Sequence, residues 1–74
     1  MDGDNEWREY SDPTKALAVV TAARDAGLSE PEILRALDVG ESTIRMWGVT
    51  VQQLRPRTAR AVRRLDRRVA RIGR

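Results

Sequence analysis

The sequence predicts a small all-α domain, a bundle of four to five helices, on three observations. Apolar residues recur at helical spacing in four separate stretches. Helix-start signals stand before two of them, at Ser11-Asp12-Pro13 and Ser29-Glu30-Pro31-Glu32. Only one short run, residues 49–54, alternates as a strand would. A chain of 74 residues holds one small domain. At that size about 60% of the unfolded surface is buried, so stability is thin and self-association is a reasonable expectation.

Residues 1–11 show neither a helical nor a strand period and read as a mobile acidic arm whose apolar handles are Trp7 and Tyr10. The alternative is that this arm, with Asp2, Asp4, Glu6, Glu9 and Asp12, lies across the basic end of the chain, held by Trp7 or Tyr10. The folded domain is expected over 12–74. Ser11-Asp12 caps a first helix from Pro13 to Ala26, with proline in the turn that needs no N–H donor and Gly27 closing the other end. Its inward positions are Leu17, Val20 and Ala23 or Arg24.

A second helix begins at a capping box, Ser29 with Glu32, and places Ile33, Leu34 and Leu37 on one face. It stops at Asp38, one of the few residues that enters the left-handed region at modest cost. Val39 turns back to the core and Gly40 serves as the next cap. A third helix, Glu41 to Trp47, puts Ile44 and Trp47 inward at i, i+3 and ends at Gly48. The run "VTVQQL" at 49–54 has no partner strand in the sequence and is expected as a loop or a short turn of helix. The last helix spans 56–73, with Ala59, Val62, Leu65, Val69 and Ile72 as a near-heptad apolar stripe.

Composition narrows the function. There is no cysteine and no histidine, which removes disulfides, thiolate metal sites, the usual general base and the usual zinc ligand. No metal, cofactor or small-molecule ligand is expected, and no enzymatic activity, since the carboxylates sit in caps or in the acidic arm. No apolar run approaches the roughly 20 residues that span a bilayer, and the acidic start is unlike a targeting peptide, so a cytoplasmic protein is expected. The net charge of +3 is strongly segregated. Residues 1–14 carry −4, residues 15–54 carry −1, and residues 55–74 carry +8 through nine arginines and one aspartate. That asymmetry points to a polyanion, or to the protein's own acidic arm, as the partner of the last helix.

The break between the second and third helices lets the third stand out from the body. A helix so presented fits the major groove, about 12 Å wide. Here "EILRALDVGESTIRMWG" resembles the helix-turn-helix DNA-binding family, in particular its phage repressor and Cro-like branch. The resemblance rests on Ile33, Leu34, Leu37, Val39, Ser42-Thr43-Ile44 and Trp47 over about twenty residues, and the flanking helices fit the family's five-helix plan more loosely. The chain departs from the family at two places: Asp38 stands where glycine is usual, and Gly40 where serine or threonine is usual.

The resemblance implies base reading by Glu41, Ser42, Arg45 and Met46, with Gly40 and Thr43 on the DNA backbone. The chemistry of each fits. Arg45 can fork onto a guanine, Glu41 can accept from a cytosine amino group, Ser42 can serve a base or a phosphate, and Met46 can touch a thymine methyl. Glu41 is equally explained by the favourable dipole of a helix first turn. Arg55, Arg57, Thr58 and Arg60 at the start of the last helix are the further candidates for phosphate contact. The expected function is a sequence-specific double-stranded DNA-binding transcriptional regulator, with a possible homodimer through Val69 and Ile72. Two alternatives stand beside it: a recombination directionality or architectural factor, marked by a wing after the third helix, and a protein-interaction module whose arginine helix grips an acidic partner.

Overall fold

The computed structural model describes residues 6–73, which form one 3-10 helix and four α-helices with no strand among them. The helices are α1 (Pro13–Asp25), α2 (Glu30–Leu37), α3 (Glu41–Trp47) and α4 (Pro56–Ile72). Each starts and stops where local chemistry requires. The Asp12 carboxylate accepts from the Thr14 N–H at 3.0 Å and Pro13 fills the first turn of α1. Gly27, at φ 97°, reverses the chain after α1, a conformation that costs a side-chain-bearing residue. At α2 the capping box is complete. The Glu32 N–H donates to the Ser29 hydroxyl at 3.4 Å, and the Ser29 N–H donates to the Glu32 carboxylate at 3.3 Å.

A single core gathers all four α-helices. Ile33, Leu37, Val20, Val62 and Leu65 are its most enclosed side chains, joined by Ile44 and Trp47 from α3 and Ala59 from α4. The face that α1 gives to the core is Ala16, Val19, Val20 and Ala23, while Leu17 is half-buried and Arg24 lies outside. Small alanines let neighbouring helices approach α1 closely, which is why it packs against α2, α3 and α4 alike. Residues 49–55 contain no strand; a turn at 48–49 leads into an irregular loop. That loop is tied down where the Leu54 N–H donates to the Ser11 carbonyl at 2.7 Å.

One expectation is corrected. Residues 6–11 are not a mobile arm: Glu6–Ser11 is a 3-10 helix packed chiefly on α4, with Tyr10 and Ser11 buried and Trp7 half-buried. The physical reason is the three-residue period. Positions i and i+3 eclipse in a 3-10 turn, so Trp7 and Tyr10 come to one side and reach α4 together. The Tyr10 hydroxyl donates to Asp66 at 2.5 Å, Glu6 pairs with Arg63, and the Arg60 guanidinium lies 5.3 Å from the centre of the Trp7 ring. The alternative, an acidic segment lying across the arginines, is what Glu6 does; Asp12 caps α1 instead, and Asp2 and Asp4 lie outside the described residues.

Burial, then the hydrogen bond to Asp66 and its charge, push the Tyr10 hydroxyl up to about 12. Tyr10→Phe removes that bond and leaves the half-buried Asp66 carboxylate without its donor. The expected loss is about 1.5–3 kcal/mol, the range for hydrogen bonds to charged groups, read by urea unfolding. A change under a few tenths would mean that the Tyr10–Asp66 hydrogen bond contributes nothing to the fold.

A second prediction concerns acid. The Arg24 guanidinium, donating to Glu30, holds that carboxyl below its ordinary value of 4.5, and the Ser29 N–H and hydroxyl do the same for Glu32. Folded-state values depressed in this way stabilise the domain above pH 4.5, and that stability is lost as pH falls through the lower folded values. Thermal melts of Glu32→Gln should therefore lie below wild type at neutral pH and converge with it as the pH falls below the depressed folded value. Parallel melting curves at all pH values would refute the assignment.

Candidate nucleic-acid interface

The break that releases α3 is a single left-handed residue. Asp38 sits at φ 56° and ψ 45°, ending α2, and Gly40 at φ −93° and ψ 167° begins α3. Asp38 therefore supplies the conformation that glycine usually supplies in the resembled family. Gly40 caps without a side chain, and a Cβ placed there would meet nothing within 4 Å. Serine or threonine would fit equally, so this departure leaves the geometry intact.

α3 is amphipathic across its short length. Ile44 and Trp47 are buried, while Glu41, Ser42, Thr43, Arg45 and Met46 are all exposed. At 100° per residue Ser42, Arg45 and Met46 form the ridge directly opposite the buried pair, with Glu41 and Thr43 on its two flanks. Met46 is 55% exposed, high for a large apolar side chain with no role in the core. Thus the four residues expected to read bases are brought together on one outward face.

Clefts run along both flanks. On one side Glu41, Ile44, Arg45 and Gly48 face Leu17, Arg24 and Glu30 across a cleft of about 340 Å³. Arg24 is fixed there by a two-pronged bond to Glu30, Nε to Oε1 at 2.9 Å and Nη2 to Oε2 at 2.8 Å. Glu41 adds its charge in favour of the Arg24 guanidinium, so it has a local partner as well as a place in the first turn. On the other side Thr43, Met46 and Trp47 meet the loop residues Thr50, Gln52, Gln53 and Leu54 across about 280 Å³. Sequence reasoning missed Arg24 and Glu30 as neighbours of the ridge. The only signal was their six-residue separation across the Gly27 turn, which reads as nothing without the turn's geometry.

The expected backbone contacts divide. Arg57 pairs with Asp38 at 3.3 Å, which seats the basic start of α4 beside the turn that precedes α3; Arg55 is exposed immediately before it. Thr58 is half-buried, and Arg60 is directed to the Trp7 ring on the 3-10 helix rather than to α3. Arg68 pairs with Glu32 at 3.2 Å. α4 thus runs antiparallel to α2, its start at the C-terminal end of α2 and Arg68 at the N-terminal end. Val69 packs partly on the core and Ile72 is 47% exposed, so of the pair expected to form a dimer seam only Ile72 presents an apolar surface. More apolar surface is exposed just after α3, where Val49 and Val51 are 79% and 97% exposed.

Among the described residues no group of His, Cys, Asp and Glu is arranged to hold a metal ion, and no helix is long and apolar enough to cross a membrane. Neither family models nor comparisons with curated proteins and solved structures return a match for this chain.

Proposed function

We propose that this protein is a sequence-specific double-stranded DNA-binding transcriptional regulator of the repressor or Cro-like kind, with α3 as the helix that reads the major groove. The observation that carries the reading is the two-sidedness of α3 after the Asp38 break. Ile44 and Trp47 fix the helix to the core and leave Ser42, Arg45 and Met46 uncommitted on the opposite side. A groove-reading helix uses such a ridge, the arginine for guanine and the methionine for a thymine methyl. Arg55 and Arg57, beside the turn, are the phosphate contacts that fix its register.

Sequencing of duplexes bound from a random pool tests the proposal. A short common sequence should emerge, bound about 10³-fold or more tighter than random duplex. A pool that stays random after repeated rounds, in low salt and with folded protein, would sink it. An architectural or directionality factor is less well supported, because residues 49–54 form a turn and loop where such a factor needs a two-stranded wing.

A further inference from the structure

We propose that Arg64, Arg67 and Arg71 of α4 form a second phosphate-gripping surface, which takes a duplex segment other than the one read by α3. The proposal rests on the reading of α3 above. Its basis is the way the fold distributes the arginines of α4. One flank is tied to α2 through Arg57 with Asp38 and Arg68 with Glu32, the other to the 3-10 helix through Arg63 with Glu6, and Arg60, on the line between them, is turned to the Trp7 ring. Between these flanks Arg64, Arg67 and Arg71, spaced by three and four residues, are exposed and have no ion-pair partner among the described residues. They make one ridge about 10 Å long.

This ridge and the α3 ridge lie on helices that barely touch. Both helices point apolar residues into the same core, Ile44 and Trp47 from α3 and Val62 and Leu65 from α4, and each carries its exposed ridge on the side away from it. α1 packs against both, whereas α3 and α4 share no substantial contact. Within the chain, the link between the arginine helix and the reading helix is at Arg57, and Arg71 lies about 21 Å further along α4.

The chemistry of the ridge selects phosphate over an acidic protein. Its side chains are all guanidinium, with planar forks that match phosphate oxygens, and no apolar residue interrupts them. A protein partner needs a desolvated apolar or aromatic centre, which this face lacks. A phosphate backbone needs only charge and reach.

The experiment is co-capture. The duplex selected by the full chain is immobilised, protein is bound to it, and retention of a labelled random duplex is measured across salt concentrations. Wild type should retain the second duplex with a log–log salt slope of about 2.7, from three phosphates at about 0.9 each. Arg64→Gln, Arg67→Gln and Arg71→Gln together should lower retention about tenfold or more with affinity for the immobilised site unchanged, while the three lysine replacements keep it. Unchanged retention by the glutamine variant would overturn the proposal, because a second α3 in a dimer would then be the bridge. A parallel fall in affinity for the immobilised site would also overturn it, by placing the ridge on the same duplex. So would displacement of the second duplex by polyglutamate at equal charge, which would assign the ridge to an acidic protein. Arg45→Ala separates the two readings: it should lower discrimination at one base pair of the selected site and leave retention of random duplex per bound protein intact, and unchanged discrimination would count against α3 alone.

Discussion

Arg45→Ala should bind duplex DNA and fold normally while losing discrimination at one base pair by about 1–3 kcal/mol, roughly 5- to 150-fold. The folded state has little to lose. Arg45 is exposed, makes no ion pair among the described residues, and alanine is the better helix former. The effect is therefore confined to binding, and its pattern identifies the contact. A fork on guanine O6 and N7 is lost at one position of the site only. A phosphate contact is lost evenly over all sequences and lowers the salt slope by about 0.9. Competition titrations against single-base variants of the selected site, repeated at two salt concentrations, distinguish the two. Retained preference at every position would mean that α3 does not read bases through Arg45.

The ends of the α-helices were legible in the sequence to within about a residue, because they are set by neighbours in the chain. Asp12 with Pro13, Ser29 with Glu32, Asp38, and Gly40 act over one to four residues, so their effects can be read without knowing the fold. The inward stripe Ala59, Val62, Leu65 and the pair Ile44, Trp47 were equally visible from spacing. The segment 6–11 was not, because what orders it is distant. Tyr10 bonds to Asp66 and Glu6 to Arg63, more than fifty positions away, and a single i, i+3 pair, Trp7 with Tyr10, is too short a repeat to mark a helix.

The same limit explains the candidate contacts. Those on α3 share one helix and were implied together by the resemblance of residues 32–48 to the helix-turn-helix family. Those on α4 were assigned by sequence proximity, and the fold sends Arg60 to the Trp7 ring and half-buries Thr58. Charge segregation pointed to a polyanion or to the acidic arm as the partner of α4, and within the fold α4 has acidic neighbours of its own. The neighbours are scattered over Glu6, Glu32 and Asp38 rather than gathered in one arm, and no linear pattern encodes that.

Trp47→Ala should be the most damaging single change in the chain, because α3 has only two residues with which to hold its place. Trp47 is 6% exposed and Ile44 is 4% exposed, and every other residue of α3 faces out. Truncating a buried tryptophan to alanine costs about 3–5 kcal/mol. A domain of this size has roughly 4–11 kcal/mol in total, at about 0.05–0.15 per residue. The expected melting temperature falls by at least about 12 °C, at about 4 °C per kcal/mol. Because the cost comes from loss of the folded state and not from loss of a base contact, the selected duplex should restore much of it. A ligand at a hundred times its dissociation constant adds about 2.7 kcal/mol to the state that binds it. Circular dichroism melts with and without that duplex provide the check, with Trp47→Phe as a control that keeps an aromatic side chain in the core. A melt within a few degrees of wild type would mean that α3 is not held through Trp47. Equal destabilisation with no recovery on adding the selected duplex would mean that the duplex does not recognise the folded α3.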